Sequence, residues 1–276
     1  MKYVYAFVLL LMSCSILAAE KSDFNIEKDF VLLQFDSKTD VDDLHTIAAV
    51  ATLFSLQPFE SIRYRAVAGT YGDQEGLYVP SPKLFDMAFS DNWSDYHNQP
   101  DAALSDVVTA VVSHLDSGAN IWVVEAGQSN FTARWVKEVA NVRSDVDLAE
   151  RIHVVQHSDW NEQQTNPKDL AYVKATVNYQ RIPDGNATGN GSPGFKTFDI
   201  LTLSRYALAP NVLKIWERAV ILGDHYNGLD GRYENDAVLA QGLDFSDTVE
   251  LCWILGLNDL SDAKEFFEYA RKNTKP

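Results

Sequence analysis

Apolar residues along the chain fall into short continuous runs, separated by stretches in which they recur at helical spacing. Phe30-Val31-Leu32-Leu33-Gln34-Phe35 is the first such run, and its length predicts a buried strand. Over residues 41–54, Leu44, Ile47, Ala48 and Ala51 recur as on one face of a helix, with Asp42 and Asp43 at its start. The alternation continues with strands over 62–69, 120–126 and 151–156 and helices over 101–115 and 130–142. Residues 170–179 fit either element, and 184–194 form a Gly/Asn/Pro-rich loop. The carboxyl-terminal third reads as helices over 198–208, 212–222, 247–255 and 261–272.

Strands alternating with helices imply an α/β domain, a mostly parallel, Rossmann-like sheet covered by helices on both faces. With no repeat and no linker, one domain is the economical reading. In such sheets ligands bind beyond the carboxyl ends of the strands. Those ends run into Asp36 with Asp40, Asp42 and Asp43, into Gly69-Thr70-Tyr71-Gly72-Asp73, into Glu125-Ala126-Gly127-Gln128-Ser129-Asn130, and into His157-Ser158-Asp159-Trp160-Asn161. Polar and acidic residues therefore gather along one sheet edge.

Met1-Lys2, an apolar run over 3–11 and the small-residue exit Ala18-Ala19 form the pattern of a secretory signal peptide over residues 1–19. The run is too short to span a membrane. Removing it leaves a domain over 20–276 and implies export to a periplasm or beyond the cell. Leu11-Met12-Ser13-Cys14 loosely resembles a bacterial lipobox, and a lipid on Cys14 would tether the protein to a membrane. Cys252, in an apolar run, is then the one thiol left in the fold and reads as a small buried hydrophobe.

The chain of 276 residues carries 23 Lys+Arg against 39 Asp+Glu, a formal charge of −16. That excess argues against nucleic acid as a partner, because phosphate backbones are held by Lys and Arg. It leaves small ligands and cations open. Four carboxylates, Asp36, Asp40, Asp42 and Asp43, lie within eight residues, and such crowding suits a hard divalent cation or a solvated capping loop.

The arrangement strand–Asp36-x-x-x-x-x-Asp42-Asp43–helix resembles the amino-terminal signature Asp-x-Asp-Pro-Gly-x-Asp-Asp of nucleoside hydrolases. Three further stretches are similar to that superfamily in order and placement: Ala66-Val67-Ala68-Gly69, Trp122 to Asn130, and Ser246-Asp247-Thr248. The last two look closer to the nucleoside-hydrolase-like domain of exported cellulose-binding proteins. The resemblance implies a calcium site formed by Asp36, Asp42, Asp43, Asp247 and the carbonyl of Ser129. It implies hydrolysis of an N-glycosidic or glycosidic bond of a nucleoside or sugar. One position departs from the signature: its central Asp, a calcium ligand and general base, falls on Lys38. Either Asp40 swings in as ligand and base beside Asp36, or the Lys38 ammonium replaces calcium among the carboxylates. The second arrangement makes a catalytically inactive carbohydrate- or nucleoside-binding protein.

His225 and His157 are placed to protonate a leaving group. Asn130, Asp159, Asn186 and Asn190 are placed to grip sugar hydroxyls. Trp160, Tyr226, Tyr233 and Trp93 lie in polar stretches and suit a stacking wall. Asn186-Ala187-Thr188 fits a glycosylation acceptor, which a bacterial export signal leaves unused.

Overall fold

Alternation along β1 (Phe30–Phe35) sends Val31, Leu33 and Phe35 to one face and Phe30 and Leu32 to the other, and all are buried. The same alternation in β4 (Ile121–Ala126) puts Trp122, Val124 and Ala126 on the first face and Ile121 and Val123 on the second. A strand apolar on both faces needs cover on both faces, and the chain supplies it. The computed structural model describes residues 22–186, 190, 193–199, 203–206 and 208–274. Residues 1–21, on which the expected signal peptide and Cys14 fall, lie outside the described residues.

In chain order the elements are β1, α1 (Asp42–Ser55), β2 (Arg63–Ala68), α2 (Pro82–Phe89), β3 (Trp93–Asp95), α3 (Pro100–Asp116) and β4. There follow α4 (Asn130–Val142), α5 (Leu148–Arg151), β5 (Ile152–Gln156), α6 (Asp159–Gln164), α7 (Pro167–Thr176) and β6 (Asn178–Arg181). The remainder contains β7 (Lys196–Thr197), α8 (Pro210–Tyr226), α9 (Asp236–Leu239), β8 (Leu243–Asp244), α10 (Thr248–Ile254) and α11 (Ala263–Asn273). Six strands form one all-parallel sheet in the order β3-β2-β1-β4-β5-β6, and β7 and β8 pair antiparallel outside it. The protein is a single α/β domain with a Rossmann-like sheet.

The order reverses between β1 and β4, so the connections leaving these neighbours diverge and open a crevice at their carboxyl ends. One core face, under α1, α8, α10 and α11, is built on Ile47, Ala48, Trp216, Phe245, Phe266 and Phe267. Small residues let α1 sit deep against α8, where Trp216 Nε1 donates to Thr52 Oγ1 at 2.8 Å. The other face packs α3, α4 and α7 on the sheet through Val107, Val111, Trp135, Val136 and Val173.

The elements differ from the sequence reading in several places. Residues 170–179 are both elements in turn, with α7 ending at Thr176 before β6 joins the edge of the sheet. The helix expected over 198–208 is replaced, among the described residues, by a 3₁₀ turn at Leu203–Tyr206, and residues 200–202 and 207 lie outside them. Helix α2 had not been expected; Pro82 occupies its first turn, where the missing N–H does no harm.

Candidate functional site

The turn after β1 is held by its own carboxylates. Ser37 takes a left-handed φ of +49°, its N–H donates to Asp43 Oδ2 at 2.5 Å, and the N–H of Lys38 donates to Asp36 Oδ1 at 2.9 Å. Lys38 lines the cavity beside these carboxylates, and its ammonium lies over the Tyr71 ring, 4.4 Å from the centroid. It pairs with none of Asp36, Asp43 or Asp247, which corrects the expectation that it stands where calcium would. Asp40 turns inward instead, where Asn235 Nδ2 donates to both of its oxygens at 3.2 and 3.3 Å and the N–H of Val41 donates at 2.6 Å.

The turn after β4 supplies a second wall. Gly127 packs against Asp36 so closely that a Cβ there would lie 2.6 Å from the Asp36 Cβ. Gln128 Nε2 then donates to Asp36 Oδ2 at 2.9 Å and to Asn161 Oδ1 at 3.0 Å. Gln74 Nε2, from the loop after β2, reaches Gln128 Oε1 at 2.6 Å and Asp36 Oδ2 at 3.3 Å. Asp36 is thus fully supplied with donors.

The third wall comes from β8 and the start of α10. Asp244 accepts from Asn235 Nδ2 at 2.8 Å and from the Ser246 hydroxyl at 2.8 Å, and it faces Lys196 Nζ at 3.6 Å. Asp247 begins α10 and meets His157 Nε2 at 3.2 Å, while the His157 N–H donates to Glu250 Oε1 at 3.2 Å. Asp43 and Asp247 are within hydrogen-bonding reach of each other although 204 residues apart in number.

Burial, with mutual repulsion added, disfavours the charged form throughout. Asp36 is pushed up to about 8 by burial, Asp247 and Asp40 adding to the effect. Asp40 is pushed up to about 7 by burial and by Asp244, and Asp42 and Asp43 well above the usual carboxylate range by burial and their acidic neighbours. His157 moves the other way from what burial dictates: Glu250 and Asp247 outweigh it and hold the imidazolium up to about 9.

These walls enclose a cavity of about 310 Å³ lined by Asp36, Asp40, Asp42, Asp244, Asp247 and His157, among others. Asn186, Trp160 and Tyr233 also line it. Several expected residues lie elsewhere. Ser129 is buried with its hydroxyl on Glu125, and its carbonyl accepts the first hydrogen bond of α4 from Ala133. Asn130 Oδ1 accepts from the N–H of Asn166. Asp159 pairs outward with Arg181 at 2.6 Å. Asn190 Nδ2 donates to the Asp184 carbonyl, and Ala187 and Thr188 lie outside the described residues. His225 is exposed near the end of α8 with its ring against Tyr226, away from the cavity. Asp244, Asn161, Lys196, Gln74, Gln128 and Asn235 had not been singled out; an Asp three residues before Asp247 was the one signal available, for Asp244.

The calcium implied by the resemblance does not fit this donor set. Among the described residues no three His, Cys, Asp or Glu side chains stand close enough to share an ion. Both Asp36 oxygens accept from protein donors. Among the described residues no helix is long and apolar enough to cross a membrane. In comparison with known proteins, the chain matches no protein-family model and no curated protein.

Proposed function

We propose that the cavity binds the sugar of a glycoside or nucleoside and that the protein hydrolyses its glycosidic or N-glycosidic bond, with Asp40 as general base. The observation that carries this reading is the inward turn of Asp40, with a pKa of about 7, at the place where Lys38 had been expected to block chemistry. A carboxyl near neutrality gives up and takes a proton readily. Asp36, at about 8, is protonated at pH 7 and suits the acid. Water attacks the anomeric carbon and loses its proton to Asp40. The bond to the leaving group breaks, and the leaving group takes the Asp36 proton. The neighbouring carboxylates stabilise the oxocarbenium-like transition state. His157, held as a cation by Glu250 and Asp247, keeps the Asp247 carboxylate in place. The amino-terminal pattern supports an exported protein.

A second reading, a catalytically inactive sugar- or nucleoside-binding protein on the same scaffold, is favoured by the donor set that seats no water-activating ion. Incubation with a panel of aryl glycosides and nucleosides, with product detection, separates the two. Hydrolysis by the parent, reduced about 100-fold or more in Asp40→Asn with ligand binding retained, is the expected result. Equal turnover by both proteins refutes the role of Asp40, and binding without turnover in either supports the second reading.

A further inference from the structure

Asn235 is fully buried behind the lining of the cavity, and each of its polar groups has a fixed partner. Its N–H donates to Asn227 Oδ1 at 2.7 Å, and Asn227 Nδ2 donates back to its carbonyl at 3.0 Å. This reciprocal pair clasps the base of the loop over 228–234. The side-chain Oδ1 of Asn235 caps α9, accepting from the N–H groups of Ala237 at 3.1 Å and Val238 at 3.3 Å. The cap settles the direction of the amide. With Oδ1 bound to two helix N–H groups, Nδ2 faces the cavity wall, and it can only donate.

Nδ2 carries two N–H groups and meets three carboxylate oxygens: Asp244 Oδ2 at 2.8 Å, and Asp40 Oδ1 and Oδ2 at 3.2 and 3.3 Å. The short contact takes one N–H, so the other is shared by both oxygens of Asp40. One amide thereby ties the turn after β1 to β8, two walls of the cavity. Lys196 Nζ meets Asp244 at 3.6 Å and Asp236, the first residue of α9, at 2.9 Å, which closes a ring through the cap. The two oxygens of Asp40 are left unequal. Oδ1 also accepts from the N–H of Val41 at 2.6 Å, whereas Oδ2 has only the shared contact among the described residues. A general base needs an oxygen with a free lone pair, held still against the water it deprotonates.

We propose that Asn235 is the positioning residue of Asp40: its capped amide holds the carboxyl inward, with Oδ1 anchored and Oδ2 as the oxygen that takes the proton from water. The proposal rests on the reading of Asp40 as the general base. Asn235→Ser tests it, because a serine still caps α9 while its hydroxyl is too short to reach Asp40 and Asp244. Values of kcat and KM are measured for the parent, Asn235→Ser, Asp40→Asn and the double variant, on the aryl glycoside or nucleoside that the parent turns over. Melting curves establish that each is folded. Asn235→Ser is expected to lower kcat about 10- to 100-fold with KM within about twofold of the parent. In the Asp40→Asn background it is expected to cost nothing further, since the group it positions is already gone. Parent-level kcat in Asn235→Ser, or an equal loss in both backgrounds, overturns the proposal and leaves Asp40 standing as the base. A crystal structure of Asn235→Ser gives a readout that does not need turnover. The Asp40 carboxyl is expected to leave its inward place, and a carboxyl that stays there overturns the proposal. A displaced carboxyl in a protein whose parent turns nothing over overturns the proposed function and upholds the positioning by Asn235. If Asn235→Ser does not fold, Asn235→Asp, which keeps the cap and the shape but turns an acceptor toward Asp40, replaces it with the same expectations.

Discussion

Replacing Asp40 by asparagine separates the chemistry of this carboxyl from its contribution to stability. Its pKa rises from 3.8 to about 7 on folding, so the folded chain holds this proton more tightly than the unfolded chain does. The sign follows: the stability tied to that proton is intact below pH 3.8 and is lost as pH rises through about 7. The full loss is about 4 kcal/mol at pH 8. Asp42 and Asp244 share the local charge, so the part removed by the substitution is about 2–4 kcal/mol. Against this, the introduced amide keeps an acceptor for the N–H of Val41 but turns its NH₂ group toward Asn235, losing about 1–2 kcal/mol at all pH values. Asp40→Asn is therefore less stable than the parent at pH 4 and equally or more stable at pH 8. Urea unfolding followed by circular dichroism from pH 4 to pH 8 measures it. Parallel stability curves for the two proteins would refute the buried, proton-sharing cluster.

Three further outcomes follow from the same geometry. Lys38→Ala removes a cation–π contact and no ion pair, so the melting curve moves by less than about 1 kcal/mol and calorimetry finds no new calcium affinity. Gln128→Leu strips donors from Asp36 and Asn161, leaves the N–H of Gly72 without its acceptor and takes one of three acceptors from the Gln74 amide, a loss of about 2–4 kcal/mol in chemical denaturation. Gly127→Ala puts a methyl group 2.6 Å from the Asp36 Cβ, lowering stability by about 1–3 kcal/mol in thermal unfolding and displacing the Asp36 carboxyl.

The sheet was legible because local pattern and final burial agree in it. β1 and α4 occupy the residues their apolar spacing marks, and parallel pairing places the ends at Phe35, Ala68, Ala126 and Gln156 along one edge. Short elements were not legible: α9 has four residues and β8 two, too few for a period to register, and their packing depends on α1 and α8. The acidic turn was visible as composition, but the directions of Lys38 and Asp40 were not. They depend on Ser37 donating to Asp43 and on Asn235, 195 positions from Asp40, receiving the inward carboxylate. Gln74 escaped notice, and Gln128 was read only as part of a strand-end stretch, for the same reason: an amide in a polar loop gains meaning when folding carries it to Asp36. His225 illustrates the converse, a chemically suitable residue whose helix end faces solvent.

The pH dependence of kcat/KM on the glycoside or nucleoside turned over fastest, for the parent and for Asp40→Asn, bears most directly on the role of Asp40. The account predicts a bell in the parent, rising through pH about 7 as Asp40 loses its proton and falling above about 8 as Asp36 loses its own, and in the variant a profile at least about 100-fold lower that lacks the rising limb. A parent profile without that limb, or one that Asp40→Asn leaves unchanged, would contradict it.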